Sequence, residues 1–371
     1  MKKIATITFH SSYNYGSNLQ AYALQEYIKK ITNEPIDYRI INLRTNIQKE
    51  MYKNIYEKSG IKNNIKKVLF FNHKKQLKEK QKNFENFIQN KLQITKEYNN
   101  YEELVKEKFD FDYYISGSDQ LWNLNARDFD WSNYLEFVKN GKKISYAASF
   151  GPTKQRWNKE QQERVRKNLL KYDYLSVREQ GSYDNVNKLT KLKPQINIDP
   201  TMLLDKNDWI KLIGNKRIIK NDYILFYDLS GKNENIELAK QISKKLNLPI
   251  VITKYMNMKI HFSNFNKHYE CGPIEFLNLL NNAKLVLSSS FHGNVFSVIL
   301  NKPFFALNGK NDFRIKTMLE KLDLMDRSIT QNEVEKKCIK AFDIDFTNAE
   351  KLLKNERKKS EEYLKKALDL K

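Results

Sequence analysis

Residues 283–307 of the chain, AKLVLSSSFHGNVFSVILNKPFFAL, carry the pattern of a complete strand–loop–helix–strand unit. An apolar run at 285–287 leads into three serines and a His-Gly pair. An apolar segment with helical spacing follows, and Asn301 and Pro303 end it before a second apolar run at 304–307. Short apolar runs joined by a helical pattern predict two buried strands with a helix between them, which is a building block of α/β folds.

The loop of this unit places small hydroxyl residues, a glycine and one histidine at the start of the predicted helix. Backbone N–H groups at a helix N-terminus, together with the helix dipole, favour an anion such as a phosphate or a carboxylate. His292 adds a side chain that can carry a proton near neutral pH. Ser289, Ser290, Gly293 and His292 are therefore candidate anion-binding residues. The alternative is that the serines only cap the helix and that His292 is a satisfied interior residue.

The length and composition fit a folded protein with two domains. The chain has 371 residues, of which 40% are hydrophobic and 30% are charged. Its two cysteines, Cys271 and Cys338, have neither metal-ligand nor redox spacing, so we expect a reduced, cytoplasmic setting and no metal site. The N-terminus indicates a first strand and not a signal peptide, because it has no long apolar core. No apolar run approaches the length of about 20 residues that a membrane span needs.

Part of the formal net charge of +22 lies in one lysine-rich segment. Residues 48–96 contain 13 lysines against 4 glutamates, and apolar residues recur there at helical spacing. A basic amphipathic arm at about 46–96 suits the inner face of a membrane, so we expect peripheral membrane association. The alternatives are a solvated helical insertion and a lysine-rich genome composition. The chain lacks zinc-finger, homeodomain and RNA-recognition motifs, so no nucleic-acid partner is expected.

Polar residues follow two predicted strands in the first half of the chain. A strand at 4–9 leads into a turn-rich loop at 10–18, and a strand at 111–115 leads into SGSDQLWN. Ligands of open α/β sheets bind at the carboxyl ends of parallel strands. The alternatives are an Asx turn at Asp119 and a core position for Trp122 instead of a platform for a sugar. The candidate ligand-contacting residues are Asn14, Tyr15, Gly16, Ser118, Asp119, Gln120 and Trp122.

Arg178 follows a predicted strand at 173–177 and precedes a predicted helix. Its guanidinium can bind a carboxylate or a phosphate in a forked geometry. The alternative is a salt bridge with Glu179 or Asp184, which is the more common outcome for such an arginine.

The alternation of strands and helices predicts two α/β domains of the same kind. We place the first at 1–205, where Asp199-Pro200-Thr201 forms a rigid exit, and the second at 206–330. The charged segment 331–371 is predicted to be a helical tail that packs back across the domains.

Several of these stretches, taken in order, resemble the polysaccharide pyruvyl transferase family. The resemblance covers roughly residues 4–325, and its specificity comes from the order of motifs that are weak alone. The matching stretches are TFHSSYNYGSNLQAYAL (8–24), YISGSDQLWN (114–123), SYAASFG (145–151), SVRE (176–179), IDPT (198–201), SSSFHG (288–293) and NKPF (301–304).

The resemblance implies two Rossmann-like domains in a GT-B-like arrangement, with the active site in the interdomain cleft. It implies an enzyme that transfers pyruvate from phosphoenolpyruvate onto hydroxyls of a sugar as a ketal, with no further cofactor and no metal. The family's histidine corresponds to His292 and its Ser-Val-Arg arginine to Arg178, both as ligands of phosphoenolpyruvate. A third basic ligand corresponds best to Arg314, with Lys310 and Lys316 as alternatives.

The expected chemistry gives these residues roles. His292 is expected to act as a general acid or as the proton donor to the phosphate, and Asp119 to orient or deprotonate the acceptor hydroxyl. The alternative for Asp119 is a purely structural role. The acceptor is expected to be a lipid-linked precursor of a capsule or surface polysaccharide, met at the inner membrane face. The residues expected to bind it are Asn14, Tyr15, Gly16, Ser118, Asp119, Gln120 and Trp122. Two other classes stay open: a GT-B glycosyltransferase that uses a nucleotide sugar, and a basic adaptor without enzyme activity.

Overall fold

The computed structural model describes residues 1–151, 155–255, 258–307 and 309–370. The chain forms two compact units, each of which contains its own five-stranded parallel sheet. The first unit comprises residues 1–53, 86–204 and 354–371, and the second comprises residues 54–85 and 205–353.

Strands and helices alternate along most of the chain. Among the helices of the described ranges, none combines the length and the apolar character that a membrane span needs. The strands are β1 (Lys2–Ile7), β2 (Ile36–Leu43), β3 (Ile94–Tyr98), β4 (Tyr113–Ser116), β5 (Lys142–Ser145), β6 (Ser176–Val177), β7 (Gln195–Ile196), β8 (Ile224–Tyr227), β9 (Ile250–Ile252), β10 (Asn266–Lys267), β11 (Leu285–Ser288) and β12 (Phe304–Ala306). The helices are α1 (Tyr15–Ile31), α2 (Asn46–Tyr52), α3 (Ile61–Leu69), α4 (Lys74–Lys91), α5 (Tyr101–Lys106), α6 (Lys159–Leu169), α7 (Gln180–Thr190), α8 (Lys206–Ile213), α9 (Asn233–Leu246), α10 (Met258–His261), α11 (Pro273–Asn282), α12 (Phe291–Ile299), α13 (Phe313–Lys321), α14 (Val334–Cys338) and α15 (Thr347–Ala367).

The sheet of the first unit has the strand order β3-β2-β1-β4-β5. The chain starts at the central strand, builds outward on one side and then crosses to the other, which is the doubly wound order of Rossmann-like sheets. Ile4 of β1 lies opposite Tyr38 of β2 and Tyr113 of β4. The order reverses between β1 and β4, and ligands of such sheets bind outside the strand ends at this switch point. Asp119 follows the end of β4.

The second unit repeats this design with the order β10-β9-β8-β11-β12. Leu287 of β11 lies opposite Phe226 of β8 and Phe305 of β12. Both β8 and β11 are buried along their full length, as expected for parallel strands covered on both faces. The predicted strand–loop–helix–strand unit is confirmed, because it forms β11, α12 and β12. Its loop lies at the switch point between β8 and β11.

Helix α1 begins earlier than the sequence predicted. We expected a loop at 10–18 and a helix from about residue 19, but the helix starts at Tyr15. The Asn14 side chain caps it by accepting a hydrogen bond from the Gly16 N–H at 3.0 Å. Tyr15 and Gly16 therefore lie buried in the first helical turn.

The lysine-rich segment does not form one arm on the first domain, and that prediction is corrected. Within this segment, helix α2 and the residues from 86 onward belong to the first unit, whereas residues 54–85 belong to the second. The reason is that its apolar residues enter two cores. Phe70 is buried in the core of the second unit, with Leu77 packed against that core. Phe87 instead packs edge-on against Tyr22 of the first unit.

The charged tail is helical, as predicted, and forms α14 and α15. Residues up to 353 belong to the second unit and residues from 354 onward to the first. In the first unit the Tyr363 hydroxyl donates to the Ser145 carbonyl at 2.8 Å, and the Ser360 hydroxyl accepts from the Ile198 N–H at 3.2 Å. Leu364 on the same helix is fully buried.

Candidate functional site

The serines after β11 fix the start of α12 through side-chain hydrogen bonds. Ser290 is the N-cap residue, and its hydroxyl accepts from the Gly293 N–H at 3.5 Å. The Ser288 hydroxyl donates to the Tyr227 carbonyl at 3.0 Å and accepts from the Ser290 N–H at 3.0 Å. The helix N-terminus is therefore joined to the end of β8 as well as to β11. The serines therefore cap the helix, which is the alternative role that the sequence analysis gave them.

Asp228 connects the two strand ends at this switch point. Its carboxylate accepts from the Ser289 hydroxyl, from the Asn235 side-chain amide at 3.0 Å and from the Gly231 N–H at 2.9 Å. The Ser289 hydroxyl in turn accepts from the Leu229 N–H at 2.9 Å. Asp228 therefore sets the position of Ser289. Sequence reasoning missed Asp228, although an aspartate directly after a buried strand is a signal for such a position.

Gly293 allows α12 to begin in close contact with β8 and β11. A Cβ atom at this position would overlap the Ser288 hydroxyl and lie 3.0 Å from both Ser288 Cβ and Tyr227 Cδ1. The Gly293 carbonyl accepts from the Ser297 hydroxyl at 2.8 Å. Close packing therefore requires a glycine at position 293, which is one of the predicted site residues.

His292 is the second residue of α12 and is buried beside Phe291. The two ring centroids are 5.2 Å apart, with the ring planes nearly perpendicular. The structure brings Ser289, Ser290, His292 and Gly293 together at the N-terminus of a nine-residue helix. The N–H groups and dipole of this helix end favour an anion.

The three candidates for a third basic ligand follow β12. Arg314 makes a forked contact with Asp312, with Nε at 3.0 Å and Nη2 at 2.7 Å from the two carboxylate oxygens. Burial acts to raise the pKa of Asp312, but the Arg314 contacts outweigh burial and hold that pKa below its ordinary value. Lys310 and Lys316 are more exposed, at 3.9 Å from a Glu333 oxygen and 3.7 Å from a Glu320 oxygen.

Asp119 lies at the switch point of the first unit in a left-handed backbone conformation, with φ of 73°. Its carboxylate accepts from the Ser17 hydroxyl at 2.7 Å and from the Gln120 N–H at 2.9 Å. The adjacent Ser118 hydroxyl donates to the Ala147 carbonyl at 3.0 Å. The Asp119 carboxylate is thus held by α1 and by its own loop.

Trp122 lies in the core of the first unit. Its ring stacks on Tyr134 with centroids 5.5 Å apart, and its indole N–H donates to the Ser116 hydroxyl at 3.2 Å. The side chain is fully buried, so no ring surface is left for a sugar. The structure therefore supports the core interpretation of the two that the sequence left open and corrects the assignment of Trp122 to an acceptor.

Arg178, directly after β6, lies buried among three carboxylates, and we call these four residues the Arg178 cluster. Nη1 donates to Asp199 at 2.8 Å, Nε donates to Glu179 at 3.4 Å, and Nη2 lies 4.0 Å from Asp119. Burial disfavours the charge, but the carboxylates outweigh it and raise the pKa of Arg178. The salt bridge with Glu179, offered by the sequence as an alternative, is present.

Hydroxyl groups satisfy the remaining carboxylate oxygens of the Arg178 cluster. Glu179 accepts from Ser149 at 2.8 Å and also from Ser182. Asp199 accepts from the Thr201 hydroxyl at 2.7 Å. The cluster is therefore a tightly bonded network that joins the ends of several strands.

Tyr52 and Asp128 form a second pair near Asp119 that sequence reasoning missed. The Tyr52 hydroxyl donates to Asp128 at 3.4 Å, and its ring lies 5.9 Å from the Tyr13 ring. Burial raises the pKa of Asp128, and the Asp119 carboxylate raises it further. A carboxyl with a raised pKa is a candidate for proton transfer. The two residues are 76 positions apart, so no local pattern marks them.

Solved structures share the fold of the whole chain. S. aureus MnaA in complex with UDP is 12% identical with a TM-score of 0.56, and the match covers 100% of this chain and 98% of that chain. UDP-GlcNAc 2-epimerase from Neisseria meningitidis, bound to UDP-GlcNAc, is 13% identical with a TM-score of 0.55 and coverage of 99% and 100%. The epimerase from Rickettsia bellii is 13% identical with a TM-score of 0.55 and coverage of 100% and 97%. These likenesses confirm the predicted fold class, α/β with two Rossmann-like domains of the GT-B type.

Sequence comparison identifies the family. No curated protein matches this chain. The model of the family described as polysaccharide pyruvyl transferase matches residues 14–311, well over half of the 371 residues. This range contains the Arg178 cluster and the β11–α12 site, whose motifs carried the resemblance. The chain therefore belongs to the polysaccharide pyruvyl transferase family.

Proposed function

We propose that this pyruvyl transferase takes pyruvate from phosphoenolpyruvate and forms a ketal across two hydroxyls of a sugar. The observation that carries the proposal is the N-terminus of α12, where His292 lies among the capping serines at a switch point. Phosphoenolpyruvate carries a phosphate and a carboxylate, and both are anions that a helix N-terminus favours. Family membership supports the transfer of a pyruvyl group.

The proposed reaction balances with one donor and one diol. A proton adds to the methylene carbon of phosphoenolpyruvate, which leaves C2 electron-poor. One sugar hydroxyl attacks C2 and loses its proton, and the bond from C2 to the phosphate oxygen then breaks, with the electron pair leaving on phosphate. The second hydroxyl closes the ring at C2 and loses its proton. The products are one ketal and one inorganic phosphate, and His292 supplies the proton to the methylene carbon or to the phosphate.

We assign supporting roles to the other candidates. Asp119 is held in one orientation by Ser17 and Gln120, which supports a role in orienting the acceptor hydroxyl. Arg178 stays a predicted ligand of phosphoenolpyruvate, and its contacts support a further role in fixing Asp119. Among the residues after β12, Arg314 is the proposed basic ligand, because its fork geometry matches a carboxylate or a phosphate.

We propose a lipid-linked sugar of a surface-polysaccharide precursor as the acceptor. The polysaccharide specificity of the family supports a sugar acceptor. The assay is incubation with phosphoenolpyruvate and a panel of free and lipid-linked sugars, followed by mass spectrometry for pyruvate addition. Addition only to free sugars would contradict the lipid-linked acceptor while leaving pyruvyl transfer intact.

The role of His292 is tested by His292→Gln. Loss of a general acid is expected to lower the turnover rate by about 10²- to 10⁴-fold, measured as phosphate release and ketal formation. The fold is expected to be retained, as judged by circular dichroism and the thermal midpoint. His268→Gln is the matched control, because His268 pairs with Glu270 in the same unit and has no assigned role. A full rate for the His292 variant would end the assignment.

The donor is tested by thermal stability in the presence of ligands. A ligand that binds only the folded state at about 100 times its Kd adds about 2.7 kcal/mol to the free energy of unfolding. We expect phosphoenolpyruvate to raise the thermal midpoint and UDP-GlcNAc to leave it unchanged. The opposite result would favour a nucleotide-sugar glycosyltransferase, since the solved structures of similar fold include complexes with UDP and UDP-GlcNAc.

A further inference from the structure

Helix α3 exposes a continuous apolar face. Ile61 is 81% exposed, Ile65 58% and Val68 77%, and Phe71 in the following turn is 72% exposed. The three helical residues are spaced i, i+4 and i+7, so they lie on one face within an arc of about 60°. Exposed apolar residues that occur singly are ordinary, but four together on one helical segment indicate a contact surface.

The exposure is not caused by loose attachment of the segment. Phe70 is buried in the core of the second unit, and Leu69 packs against the same core. The Tyr56 hydroxyl donates to the Phe70 carbonyl at 2.6 Å and closes the base of the segment. The helix is therefore anchored at its C-terminal end while its apolar face is directed to solvent.

The charged residues of the segment that carries this face have one sign, and the nearest glutamates in the chain, Glu57 and Glu79, lie just outside its ends. Residues 58–78 contain seven lysines and no aspartate or glutamate. On α3 itself, Lys62 lies about 90° around the helix axis from the centre of the apolar face, and Lys66 and Lys67 lie about 130° from that centre on opposite sides. An apolar strip bordered by lysines is the pattern of a helix that lies in the plane of an anionic membrane surface.

We propose that α3 and Phe71 dock the protein on an anionic lipid surface. The apolar side chains would enter the boundary between headgroups and acyl chains, while the lysines contact lipid phosphates. A second copy of the chain fits this face poorly, because the segments 58–78 of two copies, with seven lysines each and no acidic residue, repel one another. The docking does not depend on the transferase reaction, so its test is separate from that of the proposed function.

The test is co-sedimentation with vesicles of phosphatidylcholine alone and of phosphatidylcholine with phosphatidylglycerol. The wild-type chain is expected to bind the anionic vesicles, and the binding is expected to weaken as salt rises. The triple variant Ile61→Ser/Ile65→Ser/Val68→Ser is expected to bind at least about tenfold more weakly. Its control is Ile339→Ser, because Ile339 is equally exposed in the same unit but lies outside α3.

The charge contribution is tested by Lys62→Gln/Lys66→Gln/Lys67→Gln. Its control, Lys351→Gln/Lys354→Gln/Lys358→Gln, removes the same charge from exposed positions of α15. The α3 variant is expected to lose binding, and the control is expected to keep it. Equal loss in both variants would mean that only net charge attracts the chain, which overturns the proposal.

A label on the helix reports insertion directly. Both native cysteines are buried, so an environment-sensitive dye can be attached at Val68→Cys, with Ile339→Cys as the control. Anionic vesicles are expected to shift the emission of the Val68 label to the blue and to leave the control unchanged. Unaltered emission at Val68, or a shift that depends on protein concentration without lipid, would overturn docking on lipid.

Discussion

At the scale of single residues, the start of α12 depends on the absence of a side chain. Gly293→Ala is expected to lower the free energy of unfolding by about 1–3 kcal/mol, because the added Cβ overlaps the Ser288 hydroxyl and approaches Tyr227. The measurement is urea denaturation of the two proteins. The strain acts at the proposed donor site, so the same variant is expected to bind phosphoenolpyruvate more weakly.

The matched control for this change is Gly181→Ala. Gly181 also lies near the start of a helix, α7, but a Cβ there meets no atom within 4 Å. The control is expected to keep or slightly raise stability, since alanine favours helix by up to about 1 kcal/mol over glycine. Equal effects of the two changes would show that helix propensity, and not packing, decides the outcome.

Arg178 is predicted to hold the carboxylates of its cluster together. Arg178→Met leaves Asp119, Glu179 and Asp199 buried without their cation, so a loss of about 3–5 kcal/mol of stability is expected at neutral pH. Protonation removes the charges that burial disfavours, so the deficit is expected to shrink when denaturation is repeated at lower pH.

Arg166→Met is the control for the loss of an arginine. Arg166 pairs with Glu163 one turn away on the exposed surface of α6, and such pairs contribute about 0.3–0.5 kcal/mol. A deficit of the Arg178 variant that equals the control, or that grows on acidification, would contradict the role of the cluster.

The sequence could predict residues whose signal is local. The Ser-Ser-Ser-Phe-His-Gly loop follows a buried strand, so the positions of His292 and Gly293 at a helix start followed from neighbours in the chain. Tyr52 and Asp128 meet only after the chain has folded, and no neighbouring pattern marks them. Trp122 was ambiguous for another reason, because composition alone does not tell whether an aromatic ring faces the core or a ligand.

At the scale of elements, helical spacing predicted the helices of the lysine-rich segment but not the core that each one joins. Apolar residues in the segment recur at the same spacing whether they pack in the first unit or in the second. The start of α1 was missed because the Asn14 cap makes part of a turn-rich sequence helical. Which of the two units α4 and β3 join likewise depends on tertiary contacts.

The neighbouring residues Phe70 and Phe71 lie in one segment, but Phe70 is buried and Phe71 is exposed. Phe70 is 3% exposed and lies 4.6 Å from the Tyr255 ring and 4.9 Å from the His261 ring. Phe70→Ala is expected to lower the free energy of unfolding of the second unit by about 3–5 kcal/mol, measured by denaturation and by hydrogen exchange in β8 and β9. Phe71→Ala, at an exposed position, is expected to change stability by no more than about 0.5 kcal/mol. Similar losses in both would contradict the anchoring of the segment through Phe70.

At the scale of the whole molecule, each unit is assembled from separated stretches of chain. Leu364 of α15 is buried in the first unit. Leu364→Ala is expected to lower stability by about 2–5 kcal/mol and to speed hydrogen exchange in β4 and β5, with β8 and β11 unaffected. The control is Glu362→Ala, because Glu362 lies two residues before Leu364 on the exposed side of α15. This variant is expected to leave hydrogen exchange unchanged. Faster exchange in β8 and β11 alone would place α15 with the other unit.

The division of α15 between units also has a consequence for the order of events during synthesis. A ribosome completes residues 205–353 before it reaches residue 354, so the second unit has all its strands while the first still waits for Leu364. Closing the first unit then joins Tyr363 to Ser145, 218 positions earlier in the chain, and loop-closure entropy grows with the logarithm of loop length. A second unit that is already folded shortens the flexible part of this loop. Newly made chains are therefore expected to gain protease resistance in β8–β12 before they gain it in β1–β5.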